Sequence, residues 1–306
     1  MIDGQLIFPV IPRKLLIGQG IGEYPGQRRG QGKDFIDKRP YRPSDPVRYI
    51  DWKETARRSM QYVKFSPYVR EFREDEMIRA VIIVDRSSRM AWYPKPWLSK
   101  PQVIVSAGQM IVDSLKKYHG LIGYLDFARW PETKTPFWRP PNQETEALRV
   151  RNRNLNYQRF EAPENNLDMA LEWLWIVKEQ IPPESFIFIL SDFLVMPEYE
   201  LLEATISRWD VVPVIIQDPL LEASFPVWRG KIPVCIPFIL PNGKVGFKLF
   251  SEKEAKRTKQ EHENRFRDII SLFETLSLHP VVLFEAEPEK IYSAFCEWGY
   301  TRMGGR

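Results

Sequence analysis

The sequence predicts an α/β fold in which helices flank a mostly parallel sheet and a small β-rich lobe is attached. From residue 79 onward, short apolar runs alternate with amphipathic segments, which is typical of parallel strands joined by helices. The strongest run, 80–84, is apolar throughout, as in a strand buried on both faces. The first 75 residues are interrupted by Pro and Gly instead, and Asn242-Gly243 between two extended runs indicates a hairpin.

Each element rests on its own pattern. A helix is predicted where apolar residues recur at helical spacing, as Ile104, Ala107, Ile111 and Leu115 do, and a strand where a short apolar run ends at a polar residue. The predicted strands are 80–85, 121–126, 186–190, 211–216 and 281–284. The predicted helices are 51–58, 102–117, 166–180, 198–209, 252–276 and 289–298. The segment 130–157 is rich in Pro, Arg and Asn and is predicted to be a long loop.

Near residue 75 the sequence changes from frequent Pro and Gly to alternating strand and helix patterns, which predicts two parts of the chain. We expect a β-containing lobe at 1–75, without long regular elements because of its Pro and Gly residues. We expect an α/β domain at 76–306. A β-hairpin insertion at 226–250 interrupts that domain and is expected to pack on the first lobe.

Composition limits the class of protein. Of the 306 residues, 43% are hydrophobic and 27% charged, which is typical of a folded domain with a buried core. The net charge is only +4, but residues 28–58 hold ten Lys or Arg against five Asp or Glu. Cys235 and Cys296 show no metal-binding spacing and favour a reducing compartment. No signal peptide and no membrane-length apolar run are found, so we expect a cytoplasmic protein without membrane insertion.

Acidic residues follow two of the predicted strands. Asp85 ends the first strand and is followed by Ser87, and Asp192 follows Ser191 at the end of a later one. Right-handed crossovers place the carboxyl ends of parallel strands at one edge, where open α/β sheets bind ligands. The pattern therefore predicts a candidate site at this edge.

Three blocks resemble one known family. They are Arg39-Pro-Tyr-Arg-Pro-Ser-Asp-Pro-Val-Arg-Tyr-Ile-Asp-Trp-Lys-Glu-Thr-Ala-Arg57, the Gly-rich 30–35, and 81–90 together with 189–193. This combination is similar to the domain of unknown function 58 family. The resemblance implies a von Willebrand factor A-like domain with an added β-rich part. It also implies association with a MoxR-type AAA+ ATPase and chaperone-like maturation of a client enzyme complex.

The resemblance also implies a degenerate metal site. In von Willebrand A domains an Asp-x-Ser-x-Ser loop binds Mg²⁺ with residues from two further loops. The matching positions are Asp85, Ser87, Arg89, Asn165 or its neighbour Asn166, and Asp192. Arginine carries only donors and cannot be a ligand. We therefore expect Arg89 to block the site through an ion pair with Asp85 or Asp192. No cofactor is expected, and Mg²⁺ stays open as the cation that the remaining ligands could bind.

The 39–57 block allows a structural and a functional interpretation. Its polar and aromatic residues are Arg39, Arg42, Asp45, Arg48, Asp51, Trp52 and Arg57. In the structural interpretation, Trp52 and Ile50 lie in the core while Asp51 and Arg57 tie the lobes together. In the functional one, the arginines face an acidic partner, because a guanidinium pairs with a carboxylate through two hydrogen bonds.

The sequence favours a non-enzymatic interaction protein that partners the ATPase and a client protein. Trp92, Trp97, Trp130 and Trp138 fall in or near predicted loops at the carboxyl edge and are candidate docking residues. One alternative is a Mg²⁺-dependent phosphoesterase that uses Asp85 and Asp192. Another is nucleic-acid binding through 28–58, against which the interleaved acidic residues argue.

Overall fold

The computed structural model describes residues 6–14, 21–62, 67–91, 99–156, 159–228, 233–239 and 245–304. Its strands are β1 Ile21–Pro40, β2 Tyr68–Glu76, β3 Arg79–Val84, β4 Leu121–Asp126, β5 Phe137–Arg139, β6 Phe186–Ser191, β7 Asp210–Ile216, β8 Val234–Ile239, β9 Val245–Phe250 and β10 Val281–Leu283. Its α-helices are α1 Trp52–Tyr62, α2 Lys100–Lys117, α3 Trp130–Thr133, α4 Thr145–Asn156, α5 Asn166–Ile176, α6 Tyr199–Arg208, α7 Glu252–Thr275 and α8 Pro288–Gly304. Within these ranges, no helix has both the length and the apolar character that crossing a bilayer requires.

The central sheet has six strands in the order β10-β7-β6-β3-β4-β5. Neighbours are parallel except β5, which runs antiparallel to β4 at one edge. The predicted α/β fold with a mostly parallel sheet between helices is confirmed. Because later strands are added on both sides of β3, the order of strands reverses there, and the crevice at its carboxyl end is the usual ligand position in open α/β sheets.

Alternate residues of the central strands face two apolar cores. Ile82 points into a core shared with α2, α4 and α8. Val81 points into a second core, shared with α5, α6 and α7. Because both faces are covered, the middle of each central strand is apolar on both sides, and polar residues stand only at the strand ends. Phe8, from the segment assigned to the first lobe, belongs to the first core and stacks on Phe295 with ring centroids 4.5 Å apart.

The segment 130–157 contains α3, β5 and α4, so the prediction of a long loop there was wrong. Helix α4 buries Ala147 and Val150 in the first core. Asn154 is also buried, and its Nδ2 donates a hydrogen bond of 3.1 Å to the carbonyl of Ile104 in α2. The apolar positions of α4 are few and lie among Arg and Asn, which hid the helical period.

The first lobe contains an antiparallel pair, β1 and β2, and helix α1. Strand β1 has 20 residues, so the expectation that long elements are absent here was wrong. Its pairing with β2 shifts register four times, and such bulges accommodate Gly and Pro residues in a strand. Helix α1 is held on β2 by Thr55, whose Oγ1 accepts a 2.9 Å hydrogen bond from the Tyr68 N–H.

The predicted hairpin forms from β8 and β9, which pair antiparallel and, among the described strands, only with each other. Its Asn242-Gly243 turn lies outside the described residues. Ile236 packs with Phe225 and with Ala255 of α7 in a small apolar cluster. Packing of the hairpin on the first lobe stays a prediction.

Candidate functional site

Aspartates occupy the carboxyl ends of four neighbouring strands. Asp85 follows β3, Asp126 ends β4, Asp192 follows β6, and Asp218 lies just after β7. All four side chains are buried. Asp85 and the end of β6 meet directly, because the Ser191 hydroxyl donates a 2.6 Å hydrogen bond to Asp85 Oδ2. The edge therefore brings Asp85 into contact with the residue that precedes Asp192, below the surface.

Neutral groups surround Asp85. Its Oδ1 accepts hydrogen bonds from the Ser87 N–H at 2.8 Å and from Asn166 Nδ2 at 2.9 Å, and its Oδ2 accepts the Ser191 hydroxyl. Asn166 is buried at the start of α5, whereas Asn165 is exposed to solvent. Of the two asparagines that the sequence left open, the structure thus places Asn166 at the site. The Ser87 hydroxyl is buried and has no hydrogen-bond partner among the described residues.

Cations surround Asp192. The Nζ of Lys100 lies 3.0 Å from Asp192 Oδ2 and 2.6 Å from Glu222 Oε1, and Lys100 is 0% exposed. The Nε of Arg89 lies 3.5 Å from the same Asp192 oxygen, while its guanidinium also contacts Glu164. The expected ion pair of Arg89 thus forms with Asp192, as one of two basic side chains at that carboxylate.

Burial and charge compete in this cluster. Burial disfavours the charged form of Asp192, but the positive charges of Lys100 and Arg89 outweigh it and hold the pKa of Asp192 below its usual value. Burial also disfavours charged Lys100, yet Asp192 and Glu222 raise the pKa of its ammonium. For Glu222, burial prevails and raises the pKa despite the attraction of Lys100. The cluster is therefore held by an ammonium ion between two carboxyl groups.

Sequence reasoning missed Lys100 and Glu222. Lys100 is the first residue of α2, directly after the N-cap Ser99. A cation is unfavourable at a helix amino terminus, because the helix dipole is positive there. That misplaced charge was the available signal, since it requires acidic partners nearby. Glu222 carried no comparable signal, because it lies in a turn after β7 that only the fold brings to the edge.

The remaining aspartates are also paired. Both Asp126 oxygens accept hydrogen bonds from Arg153, at 3.0 and 3.2 Å. Buried Arg86 lies beside Asp126 and donates a 2.9 Å hydrogen bond to the Tyr124 hydroxyl, whose pKa is raised by burial. Asp218 Oδ1 accepts backbone hydrogen bonds from the turn that follows it. No group of three His, Cys, Asp or Glu side chains in the described ranges is arranged to hold a metal ion.

The predicted docking aromatics divide into two groups. Trp92 and Trp97 lie outside the described residues. Trp130 packs against Phe127 with ring centroids 5.6 Å apart. The indole N–H of Trp138 donates a 3.1 Å hydrogen bond to Gln180. Both described tryptophans pack against the second core and are partly buried.

The 39–57 block forms a second charged cluster. Asp51 is buried immediately before α1, and its Oδ1 accepts the Glu54 N–H at 3.1 Å, as an N-cap does. Its Oδ2 lies 2.9 Å from Lys38 Nζ and 3.2 Å from Arg70 Nε. These attractions hold the pKa of Asp51 well below its usual value, with Lys38 as the main cause. Asp51 therefore links β1, β2 and α1 within the first lobe.

Two further carboxylates complete this cluster. Arg39 binds Asp45 through two hydrogen bonds of 2.6 and 2.7 Å and lowers the pKa of Asp45 to about 2. Glu54 Oε1 lies 2.7 Å from Arg58 Nε and 2.8 Å from Arg57, which together lower the pKa of Glu54 to about 2.

Several residues of this block are exposed. Trp52, expected in the core, is 60% exposed at the first position of α1. Arg57 pairs with Glu54 inside α1, so it does not tie the two lobes together. Arg42 and Arg48 are exposed. The Arg48 guanidinium lies over the Tyr49 ring, 4.9 Å from its centroid.

Fold and site together define an α/β protein whose edge carboxylates are held by its own donors. Residues 37–234, more than half of the chain, match the family model described as protein of unknown function DUF58, and the chain belongs to that family. A comparison with curated proteins gives no match.

Solved structures show distant likeness. The pilus adhesin SpaC from Lactobacillus rhamnosus GG is 10% identical with a TM-score of 0.38, and the match covers 75% of this chain and 31% of that one. A mutant of the PilB minor pilin from Streptococcus sanguinis is 10% identical with a TM-score of 0.36, covering 78% and 65%. The chain therefore spans less than two thirds of either protein's length.

Proposed function

We propose that this chain is a von Willebrand A-like interaction protein that partners a MoxR-type AAA+ ATPase in chaperone-like maturation of a client enzyme complex. The Asp85-x-Ser87 loop at the carboxyl end of the central strand and the doubly wound strand order support the domain type. The ATPase and the client come from the resemblance of the 39–57 block to its family.

The observation that carries a non-catalytic role is the buried ammonium of Lys100 between Asp192 and Glu222. A catalytic carboxylate must offer a free oxygen to substrate, to water or to an ion. Here Asp192 Oδ2 is held by Lys100 and its Oδ1 by the Leu194 N–H, while Asp85 accepts donors on both oxygens. These interactions hold the carboxylates in place and favour binding over turnover.

The same geometry disfavours a Mg²⁺ ion at the edge. Mg²⁺ requires near-octahedral oxygen ligands about 2.0–2.1 Å away. An ammonium and a guanidinium already lie beside Asp192, and both would repel a divalent cation. We infer that Lys100 and Arg89 supply the positive charge that a metal ion supplies elsewhere. The Ser87 hydroxyl and the Asn166 side chain, both buried, carry oxygen atoms of the kind that bind Mg²⁺ in a complete von Willebrand A site.

No observation favours the phosphoesterase or the nucleic-acid alternative. We place the protein in the cytoplasm, where an AAA+ partner would find ATP. The free thiols of Cys235 and Cys296 support this, because unpaired cysteines are usual in a reducing compartment.

The test uses the purified chain and the MoxR-type ATPase encoded in the same genome. We expect a complex with a Kd in the micromolar range or tighter by calorimetry, and a changed rate of ATP hydrolysis when the chain is added. The control is an AAA+ ATPase of another family from the same organism. Absence of a complex in the presence of ATP, ADP and a non-hydrolysable analogue would refute the proposed partnership.

A further inference from the structure

Helix α1 exposes an apolar stripe, defined here as Trp52, Ala56 and Met60. These residues are four apart and therefore lie along one side of the helix. Trp52 is 60% and Met60 85% exposed, and Ala56 is exposed as well. Trp52 and Met60 lie about 12 Å apart along the helix axis, with Ala56 between them. An exposed apolar row of this kind often marks an interaction surface.

The opposite side of α1 is polar and buried. Glu54 and Thr55 are buried against β2, and Arg58 lies over the Tyr68 ring at 4.4 Å. A surface helix ordinarily buries its apolar side and exposes its polar side. Helix α1 reverses this arrangement and attaches to its own lobe through the ion pair of Glu54 with Lys38 and through hydrogen bonds to Tyr68. Its apolar side is thus left for contact with another molecule.

In the first lobe the negative charges are buried and the positive charges that pair with them are exposed. The carboxylates of Asp51 and Glu54 are 5% and 8% exposed, whereas the paired side chains of Arg57 and Arg70 are 68% and 55% exposed. Lys53, on α1 next to Trp52, is exposed too. Four cations pair with these two carboxylates, since Asp51 pairs with Lys38 and Arg70 and Glu54 with Arg57 and Arg58. Solvent therefore meets a positive surface.

We propose that the α1 stripe is a docking surface for an acidic protein surface with an apolar pocket that receives Trp52, flanked by contacts to Lys53 and Arg57. Exposed Trp and Arg residues are those that most often carry binding energy at protein interfaces. The inference rests on the proposed function and adds the place and chemistry of the contact.

A protein fits this surface better than a nucleic acid or a membrane. An exposed apolar row beside the cations has no counterpart on a phosphate backbone, whereas a protein pocket can bury it. A membrane-surface helix needs a broad apolar side, whereas α1 offers one narrow row on 11 residues. A pocket on an acidic protein matches both the row and the charges.

The experiment measures binding of the full chain to the purified MoxR-type ATPase. We expect Trp52→Ala to weaken binding at least tenfold. Lys53→Glu should weaken it severalfold and flatten its salt dependence, because it removes an attraction between opposite charges. The matched control is Lys256→Glu on α7, which reverses another exposed lysine and should leave binding unchanged. Circular dichroism and melting temperature check that each variant is folded.

The outcomes are distinct. If the wild type binds and both α1 variants bind equally well, the docking surface is refuted and the partnership stands. If the wild type does not bind, the proposed function fails and the occupant assigned here fails with it. Tight binding to phosphatidylglycerol vesicles or to duplex DNA that Trp52→Ala abolishes, with ATPase binding unaffected, would overturn the choice of a protein occupant.

Discussion

The two charged clusters of this molecule use the same residue types at different depths. At the carboxyl edge, Lys100, Asp192 and Glu222 are all buried. In the first lobe, Asp51 and Glu54 are buried, but Arg57 and Arg70 reach solvent. A buried cation can only stabilise its neighbours, whereas an exposed one can also meet a partner. The cluster at the carboxyl edge therefore fixes loops, whereas the cluster in the first lobe shapes a surface.

The largest effect is expected from Lys100→Met, which keeps the volume but removes the ammonium. Glu222 then loses its ion-pair partner and Asp192 keeps only Arg89, and breaking a buried pair costs about 3–5 kcal/mol of unfolding free energy. Urea denaturation measures it. Lys256→Met is the control, because its exposed pair with Glu252 should contribute less than about 0.5 kcal/mol. A loss for Lys100→Met as small as the control's would show that the edge cluster is not structural.

A smaller effect is expected from Asp51→Ala in the first lobe. The substitution removes an N-cap acceptor and the partner of Lys38 and Arg70, and loss of a cap costs about 1–2 kcal/mol. Asp51→Asn keeps the cap and removes only the charge, so it should lose less. Thermal unfolding of both variants separates the two contributions. Equal losses would mean that the ion pairs, and not the cap, hold α1.

Acid should weaken the first lobe. The pKa of Asp45 is about 2 beside Arg39, below the usual value of about 3.9. A carboxyl group with a lowered pKa stabilises the fold above its ordinary pKa and loses that contribution as the pH falls toward the folded value. The melting temperature should therefore fall between about pH 4 and pH 2.

The Arg39→Gln variant tests this assignment. It removes the main cause of the shift, so the dependence on pH in that window should become shallower. Arg257→Gln, on an exposed pair in α7, is the control and should keep the wild-type profile. An unchanged profile in Arg39→Gln would assign the acid sensitivity to other carboxyl groups.

The smallest expected effect is none: millimolar Mg²⁺ or Mn²⁺ should not change the melting temperature of the wild type. Lys100 and Arg89 already provide the positive charge at Asp192. In the double variant Lys100→Met with Arg89→Ala, the same ions should raise the melting temperature, since an ion that binds only the folded state stabilises it. Stabilisation of the wild type would contradict the view that side-chain cations have replaced a metal.

The sequence predicted the sheet better than the site. The strands around Val81 and Ile187 could be predicted because burial on both faces leaves an apolar run. Helix α4 could not, because tertiary contacts such as that of Asn154 outweigh its polar composition. The convergence of Asp85 with the end of β6 followed from strand direction alone. Glu222 could not be found, since its role depends on a turn distant in sequence from α2.

Trp52 shows a limit of another kind. Tryptophan is usually well buried, so a core position was the natural expectation. Its neighbours gave the contrary signal, because the polar residues Glu54 and Thr55 are the ones that α1 turns inward. A helix cannot bury both sides against a two-stranded sheet. Once ion pairs hold one side, the other must face solvent.

Both margins of the central sheet are only three residues long, β5 on one side and β10 on the other. Pro140 and Pro141 follow β5, and Pro280 precedes β10. A margin this short, ended by residues that lack an amide hydrogen, gives a second chain almost no ladder to extend. The central sheet is thereby protected against edge-to-edge pairing with a second chain.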